Sequence, residues 1–277
     1  MLRESALPTG YPRCSPLRSR AADFVTVTRM PLLPDLLLVV GVLLVATLYA
    51  SVGHAGATGY LALMALAGLA PSNMRPTALV VNLLVASIAV VRFSRDGLLP
   101  LRTLMPFLIG SIPAAFVAGG LAVSDAFYRP LLALVLLLAA VRLAGGAVRD
   151  AAQSGATRAP HPTVAALVGT GIGVLAGITG TGGGVFLTPL VIARRWTPTR
   201  AAAGLSAGFI LANSAAGLLA RPASLTSLPT WLPAAMVAGA IGALLGTELG
   251  IRRLSIPWLR RLLALVMLFA AMRLVTS

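Results

Sequence analysis

One apolar stretch of the chain is interrupted by a cluster of glycines and then resumes as a short run. Residues Leu175 to Pro198 read LAGITGTGGGVFLTPLVIARRWTP. Glycine lacks a Cβ, so this segment can turn sharply and expose backbone N–H groups. The run that follows, Val185 to Ala193, spans only about 14 Å as a helix, roughly half of a hydrocarbon core of about 30 Å. Because lipid cannot satisfy free backbone groups, such a break is expected to be buried in protein or to line a cavity.

The composition indicates a multi-pass membrane protein. Of the 277 residues, 58% are hydrophobic and only 10% are charged, and the mean hydropathy is +0.93. The net charge of +15 comes from 22 basic residues, all of them arginine, against seven acidic ones. The arginines lie in small groups between apolar runs, as in the loops of membrane proteins, and not in the single patch typical of nucleic-acid-binding proteins. We therefore expect a lipid bilayer as the surroundings and no nucleic-acid partner.

The first thirty residues differ from the rest. They are polar, contain arginine and proline, and lack an apolar core of signal-peptide length. Residues 1–30 are therefore interpreted as a disordered tail. Met30 stands directly before the first apolar run, so a mis-assigned start, with translation beginning at Met30, is a second interpretation.

The apolar segments predict an all-α fold built from two similar halves. Residues 31–148 form the first membrane repeat, 149–162 a polar linker, and 163–277 the second repeat. Each half has the order long, short, long, long, long, with short runs at Tyr60–Ala70 and Val185–Ala193, each next to a glycine-rich break. The prediction is a polytopic membrane protein of about eight full helices plus two short segments, arising from an internal duplication.

The positions of the arginines favour inverted repeats. If both short segments cross the bilayer, each half has five crossings and the halves have opposite orientations. The arginine-rich face then holds Arg92, Arg95, Arg102, Arg142, Arg149, Arg158, Arg194, Arg195, Arg200, Arg252, Arg253, Arg260 and Arg261. The other face holds Arg75, Arg129, Arg221 and Arg273. By the positive-inside rule the first face is cytoplasmic, which places both ends of the membrane part outside. The arginines of the tail oppose this topology unless the chain begins at Met30.

The second break and its surroundings resemble a known family of transporters. Gly177 to Gly184 reads GITGTGGG and is followed by Thr188-Pro189, by Trp196-Thr-Pro and by Ala201-Ala-Ala-Gly-Leu-Ser. This order resembles the sulfite exporter TauE/SafE family over roughly Leu32 to Val275. The resemblance implies a permease of the bacterial cell inner membrane for small anions such as sulfite or organic sulfonates. The first copy, GHAGATG from Gly53, departs from the pattern by its histidine and its fewer glycines.

The two breaks supply the candidate substrate-binding residues. A short helix that begins at a glycine turn offers free N–H groups and the positive end of a helix dipole to an anion. Two such helices in inverted repeats are expected to converge on one site. The predicted substrate-binding residues are Gly53, His54, Gly56, Thr58, Gly59, Asn82, Thr179, Gly180, Thr181, Gly182, Gly183, Gly184 and Asn213.

Each of these residues has a structural alternative. The glycines would also permit close helix packing, and the asparagines would also make interhelical hydrogen bonds. His54 can supply positive charge or carry a coupling proton, or it can be a neutral residue that holds the break together.

The sequence favours transport over catalysis and predicts no metal and no cofactor. No histidine and carboxylate cluster at metal spacing and no Walker loop is present. The predicted function is therefore a secondary transporter of a small anion. Two alternatives remain: a permease for an uncharged metabolite, and an intramembrane serine hydrolase. The hydrolase would use Ser206, within the G-x-S-x-G match from Gly204 to Gly208, with His54 as its base.

Overall fold

The described part of the chain is entirely helical in its regular structure. A computed structural model describes residues 33–145, 158–252 and 257–276, so the predicted tail (1–30) and most of the predicted linker (149–162) lie outside the described residues. The ten α-helices of the described part are α1 (Leu33–Ala50), α2 (Ala57–Leu66), α3 (Pro71–Arg95), α4 (Leu101–Gly120), α5 (Asp125–Gly145), α6 (Pro162–Thr179), α7 (Gly184–Ala193), α8 (Thr199–Leu219), α9 (Leu232–Ile251) and α10 (Pro257–Thr276). A 3₁₀ turn, Pro222–Ser227, joins α8 to α9.

Five of the helices are long and apolar enough to cross a membrane. They are α3, α4, α6, residues Arg200–Leu219 of α8, and α9. Large apolar side chains such as Leu37, Ile109 and Leu167 are exposed on the outside of the bundle, where lipid would cover them. The prediction of an all-α polytopic membrane protein is confirmed.

Two helices have ten residues each, and each follows a glycine in the left-handed region. Gly56, with φ 96°, precedes α2, and Gly183, with φ 81°, precedes α7. The second short helix lies within one residue of its predicted position. The first ends four residues earlier than predicted, because Gly68 adopts φ 79° and Leu69 N–H donates to Met64 O at 3.0 Å, which closes a Schellman turn.

Glycines spaced four residues apart bring two pairs of helices into backbone contact. Gly169, Gly173 and Gly177 of α6 lie against α4, where an added Cβ would stand 2.2–2.5 Å from a carbonyl oxygen. Gly242 and Gly246 of α9 lie against α1, and Gly250 lies against Ser51 directly after α1, with 2.1–2.7 Å to carbonyl oxygens. Such small-residue seams are a common means of packing helices in membranes.

The strongest helix contacts correspond when α1–α5 are exchanged with α6–α10, whereas the contact of α2 with α10 has no counterpart between α7 and α5 of similar strength. The pair α4–α6 then corresponds to α9–α1, and α4–α8 corresponds to α9–α3, while α3–α8 and α5–α10 map onto themselves. The internal duplication stays a prediction, and the described residues from Leu33 onward belong to one compact unit.

Charged side chains gather at the two ends of α3. Arg75, near its start, and Arg221, beyond the end of α8, line one pocket. Near its other end, about 25 Å away along the helix, Arg92 pairs with Glu248, which also pairs with Arg252. Arg75 and Arg92, which the sequence assigns to different faces, thus lie near different ends of the same helix.

Candidate functional site

The second glycine break is a tight turn that only glycine adopts readily. Gly180 (φ 77°) ends α6, and its N–H donates to Ala176 O at 2.8 Å. Gly182 (φ 70°) and Gly183 (φ 81°) follow in the same left-handed region. L side chains are disfavoured there by roughly 1–2 kcal/mol per residue. The turn therefore needs glycine for its backbone shape, whether or not it also binds a substrate.

Gly182 faces polar side chains of α3 and α8. A Cβ at this position would lie 3.1 Å from Asn82 Nδ2 and 3.0 Å from Ser214 Oγ. Asn82 donates to Ser214 across the two helices at 3.5 Å. The break, α3 and α8 therefore meet at a small polar cluster inside an apolar bundle.

Two asparagines of this region carry unsatisfied oxygen atoms. Asn82 and Asn213 are 0% and 1% exposed. Asn213 Nδ2 donates to Phe209 O at 2.8 Å. The Oδ1 atoms of both side chains have no hydrogen-bond partner among the described residues. An unsatisfied buried polar group costs about 1–3 kcal/mol, so these two positions favour a ligand or water as the missing partner.

The first glycine break reaches the start of α7 through His54. Its Nε2 lies 3.1 Å from Gly184 O and 3.1 Å from Thr188 Oγ1. Its Nδ1 lies 3.2 Å from Val52 O. Because both ring nitrogens face a carbonyl oxygen, only the doubly protonated ring can donate to both. A neutral ring can instead donate through Nδ1 to Val52 O and accept at Nε2 from Thr188, so the roles of the two nitrogens depend on the tautomer.

A chain of hydroxyl groups continues from His54 into α8. Thr188 Oγ1 is hydrogen bonded to Ser206 Oγ and lies 3.0 Å from Gly184 O. Ser206 is fully buried in the interior of α8. A nucleophile elbow needs its serine exposed on a strand-to-helix turn, so this setting does not match the G-x-S-x-G motif.

Several predicted site glycines have close-packing roles. A Cβ at Gly53 would lie 2.2 Å from Ala203 O, and one at Gly59 would lie 2.5 Å from Val45. Gly56 and Gly184 are also tightly enclosed, by Tyr60 and Val45 and by Ile210 respectively. These contacts support the packing alternative at each position, and substrate contact there stays a prediction.

The predicted threonines make hydrogen bonds to residues other than His54, Thr188 and Ser206. Thr58 Oγ1 lies 2.8 Å from Tyr49 OH, which also contacts Met267 in α10. Thr179 and Thr181 share a hydrogen bond of 2.9 Å, and Thr179 also donates to Leu175 O. In this conformation these hydroxyls are therefore committed to partners within the protein.

The short helices begin without a side-chain cap. Gly56 and Gly183 occupy the N-cap positions, and neither helix start has a side-chain cap hydrogen bond. Helix geometry leaves the first backbone N–H groups of each without an intrahelical partner. Those groups and the dipole together favour a negatively charged ligand.

The structure adds Thr188, Ser206 and Ser214 to the candidate site. Thr188 is a polar residue within the apolar short helix α7, one turn after Gly184. That position could have identified it from the sequence. The contacts with His54 and Ser206 join residues 134 and 18 positions apart, so pattern alone does not reveal them. Among the described residues, no group of three or more His, Cys, Asp or Glu could hold a metal ion.

Comparison with known proteins places this arrangement in a family. The family profile described as sulfite exporter TauE/SafE matches residues 37–274. A curated relative, "Probable membrane transporter protein y4hK" of Sinorhizobium fredii (strain NBRC 101917 / NGR234), is 37% identical over 238 residues, covering 86% of this chain and 96% of the relative. No solved structure matches the chain. The match runs from α1 to α10, including both glycine breaks, and the chain is a membrane transporter that belongs to the sulfite exporter TauE/SafE family.

Proposed function

We propose that this transporter moves a small anion, sulfite or a related sulfur oxyanion or organosulfonate, across the cell inner membrane. Transport proceeds by alternating access, and the substrate binds where the two glycine breaks meet. The family is named for sulfite export, and the relative from Sinorhizobium fredii is described as a probable membrane transporter. The proposal of an anionic substrate is supported by the chemistry of the site.

One contact carries this proposal. His54, in the first break, lies 3.1 Å from Gly184 O, the first residue of α7, although the two are 130 positions apart. The break before α2 and the break before α7 therefore meet inside one bundle. This is the arrangement expected when two repeats build one binding site between them.

The chemistry of the meeting point favours an anion. The uncapped start of α7 presents N–H groups and a partial positive charge, roughly half a unit at a helix N-terminus. Protonation of His54 would add a positive charge beside it. Thr188, Ser214 and the amide of Asn82 can add neutral hydrogen-bond donors around an oxyanion.

The repeats supply a mechanism for movement. The two glycine seams, α6 on α4 and α9 on α1, correspond under exchange of the halves. The first break directly follows α1, and the second directly follows α6. Rocking of one set of helices against the other would expose the meeting point alternately to the two faces. An ion gradient, with a proton as the candidate coupling ion, or the gradient of the substrate would supply the energy.

The test is anion flux in proteoliposomes that contain only the purified protein. We expect wild-type protein to carry sulfite, thiosulfate or methanesulfonate, and Gly182→Ala to reduce that flux by about tenfold or more, the equivalent of about 1.4 kcal/mol. The substitution places a methyl group against Asn82 Nδ2 and Ser214 Oγ.

The matched control is Gly97→Ala. Gly97 has a similar φ of 67°, but an added Cβ there meets nothing within 4 Å, so it carries the same backbone strain without touching the break. Wild-type flux in Gly97→Ala together with lost flux in Gly182→Ala supports the site. If the protein carried an uncharged metabolite and no anion, it would be a permease for uncharged metabolites, and the proposal would be wrong.

A further inference from the structure

A second polar pocket lies at the end of the bundle where α3 begins. It has a volume of about 120 Å³, and its lining includes Ser72, Arg75, Asp125, Tyr128 and Arg221. Two guanidinium groups stand against one carboxylate, so the lining carries a net positive charge. A small oxyanion fits both the size and the charge.

Arg75 is held in place at the side of this pocket. Its Nη2 donates to Gly177 O at 2.8 Å and to Gly119 O at 3.4 Å. Its guanidinium lies 5.8 Å from the centre of the Tyr128 ring, a cation–π contact. A guanidinium has five N–H donors in a fixed fork, and both carbonyl contacts use the same nitrogen, so Arg75 has further donors with which to bind an oxyanion.

Arg221 approaches the same end of α4. Its Nη2 donates to Leu121 O at 2.6 Å and to Gly120 O at 3.5 Å. The two arginines thus bind neighbouring carbonyl groups at the C-terminus of α4, where the helix dipole attracts positive charge. The end of α4 therefore fixes both guanidinium groups on one side of the pocket.

The pocket adjoins the second glycine break. A Cβ at Gly180 would lie 3.4 Å from Arg75 Cα, and Tyr128 OH donates to Thr179 O at 3.2 Å. Arg75 also binds Gly177 O, in the last turns of α6 just before the break. An anion held by Arg75 would therefore stand next to the turn that leads into α7.

The geometry points to an outer binding site in which Arg75 and Arg221 hold a small oxyanion or sulfonate before it reaches the glycine breaks. The anion binds the donors of Arg75 that the carbonyls of Gly177 and Gly119 do not use. This inference rests on the proposed function for its substrate class, a small anion. The pocket itself is separate from the meeting point of the breaks.

The test is protection of an engineered thiol in the pocket. Ser72 is exposed and lines the pocket, and Cys14 is the sole native cysteine, so Ser72→Cys in a Cys14→Ser background provides one reactive thiol. We expect methanesulfonate to slow labelling of this thiol by N-ethylmaleimide, a neutral reagent. At about ten times its dissociation constant, methanesulfonate should slow labelling about tenfold, relative to chloride at equal ionic strength.

Arginine variants separate binding from structure. Arg75→Gln should abolish protection, whereas Arg273→Gln should retain it. Arg273 is a matched control because it also donates to helix-end carbonyls, those of Ala65 and Leu66, but does not line the pocket. If Arg75→Gln fails to fold, Arg75→Lys keeps the charge, loses the fork, and should show weakened protection.

The inference is overturned if methanesulfonate gives no protection, or if protection in Arg75→Gln equals that of the parent. The Gly182→Ala change distinguishes this result from failure of the proposed function, because it should stop flux and leave protection intact. Protection of the thiol in a protein that transports no anion would support the binding pocket and contradict the proposed transport function. Anion flux without protection would remove only the pocket.

Discussion

The side chain of Asn82 is poorly satisfied within the protein, and a ligand could supply the hydrogen bond that it lacks. Its side chain is fully buried, makes one long hydrogen bond to Ser214, and has an unsatisfied Oδ1 among the described residues. A buried amide in this state contributes little to folding. Its position beside Gly182 accords with a role in binding.

At the residue scale we predict that Asn82→Leu separates stability from transport. The free energy of unfolding should change by no more than about 1 kcal/mol, because an apolar side chain of similar shape removes the unsatisfied oxygen and gives up only the long 3.5 Å hydrogen bond to Ser214. Flux should fall by about tenfold or more, the equivalent of about 1.4 kcal/mol. Unfolding curves in detergent and proteoliposome flux measure the two quantities.

The control for this prediction is Ser111→Ala. Ser111 Oγ is also buried and has no hydrogen-bond partner in the described part of the chain, but it lies in α4, whose backbone there contacts Gly173. This variant should keep both stability and flux. Wild-type flux in Asn82→Leu would exclude Asn82 from the substrate path.

The sequence identified many residues of the site but few of their contacts. Asn82, Asn213 and His54 stand out as polar groups within apolar segments, which made them candidates. The choice between binding and packing at Gly53 or Gly59 depends on what faces the missing Cβ, and only the folded chain supplies Ala203 and Val45 as the neighbours. The Thr188 contacts depend in the same way on helices brought together by folding.

The glycine seams are the main packing feature at the element scale. Gly173 of α6 allows the backbone of α4 to approach so closely that an added Cβ would stand 2.5 Å from Ser111 O. Backbone cannot move aside as a flexible side chain can. Any larger residue must therefore push α6 and α4 apart.

We predict that Gly173→Ala destabilises the protein and that Gly171→Ala does not. The first change should cost about 1–3 kcal/mol through overpacking. Gly171 lies on the same helix with nothing within 4 Å of an added Cβ, so alanine there is tolerated. Thermal unfolding in one detergent compares the two. Equal midpoints for both variants would contradict the close approach of α4 and α6.

The order of the helices was predictable because each apolar run can be recognised by its length and composition. The glycine seams were not predicted, because a spacing of four residues between glycines does not identify the helix that packs against them. The end of α2 was misplaced for a related reason: apolar residues continue past Leu66, and only the left-handed Gly68 ends the helix.

The whole molecule has an asymmetry of charge along α3. Arg75 and Arg221 lie at one end, and Arg92, Arg252 and Glu248 lie at the other. The sequence assigns Arg75 and Arg221 to one membrane face and Arg92 and Arg252 to the other, and that topology stays a prediction. The sequence could propose the duplication because both halves repeat one order of long and short runs, whereas the exchange of packing partners requires the folded chain.

The topology predicts that the C-terminus after Ser277 lies outside the cytoplasm. An alkaline phosphatase fused after Ser277 should be active, and a fusion in the predicted linker, residues 149–162, should be inactive, because the arginine-rich loops stay inside. Activity of the linker fusion and inactivity of the C-terminal fusion would reverse the assignment.

The central claim is that the folded transporter binds a small anion at its glycine breaks, and ligand-dependent thermal unfolding tests it most directly. Methanesulfonate and dimethyl sulfone have similar shapes but differ in charge, so they form a matched pair, with sulfite, thiosulfate and acetate completing the panel. At about 100 times its dissociation constant, a bound anion adds about 2.7 kcal/mol of stability. We predict a higher unfolding midpoint with a sulfur anion, no change with dimethyl sulfone, and a reduced effect in Gly182→Ala but not in Gly97→Ala. An unchanged midpoint with every anion, or an equal rise with dimethyl sulfone, would contradict the account.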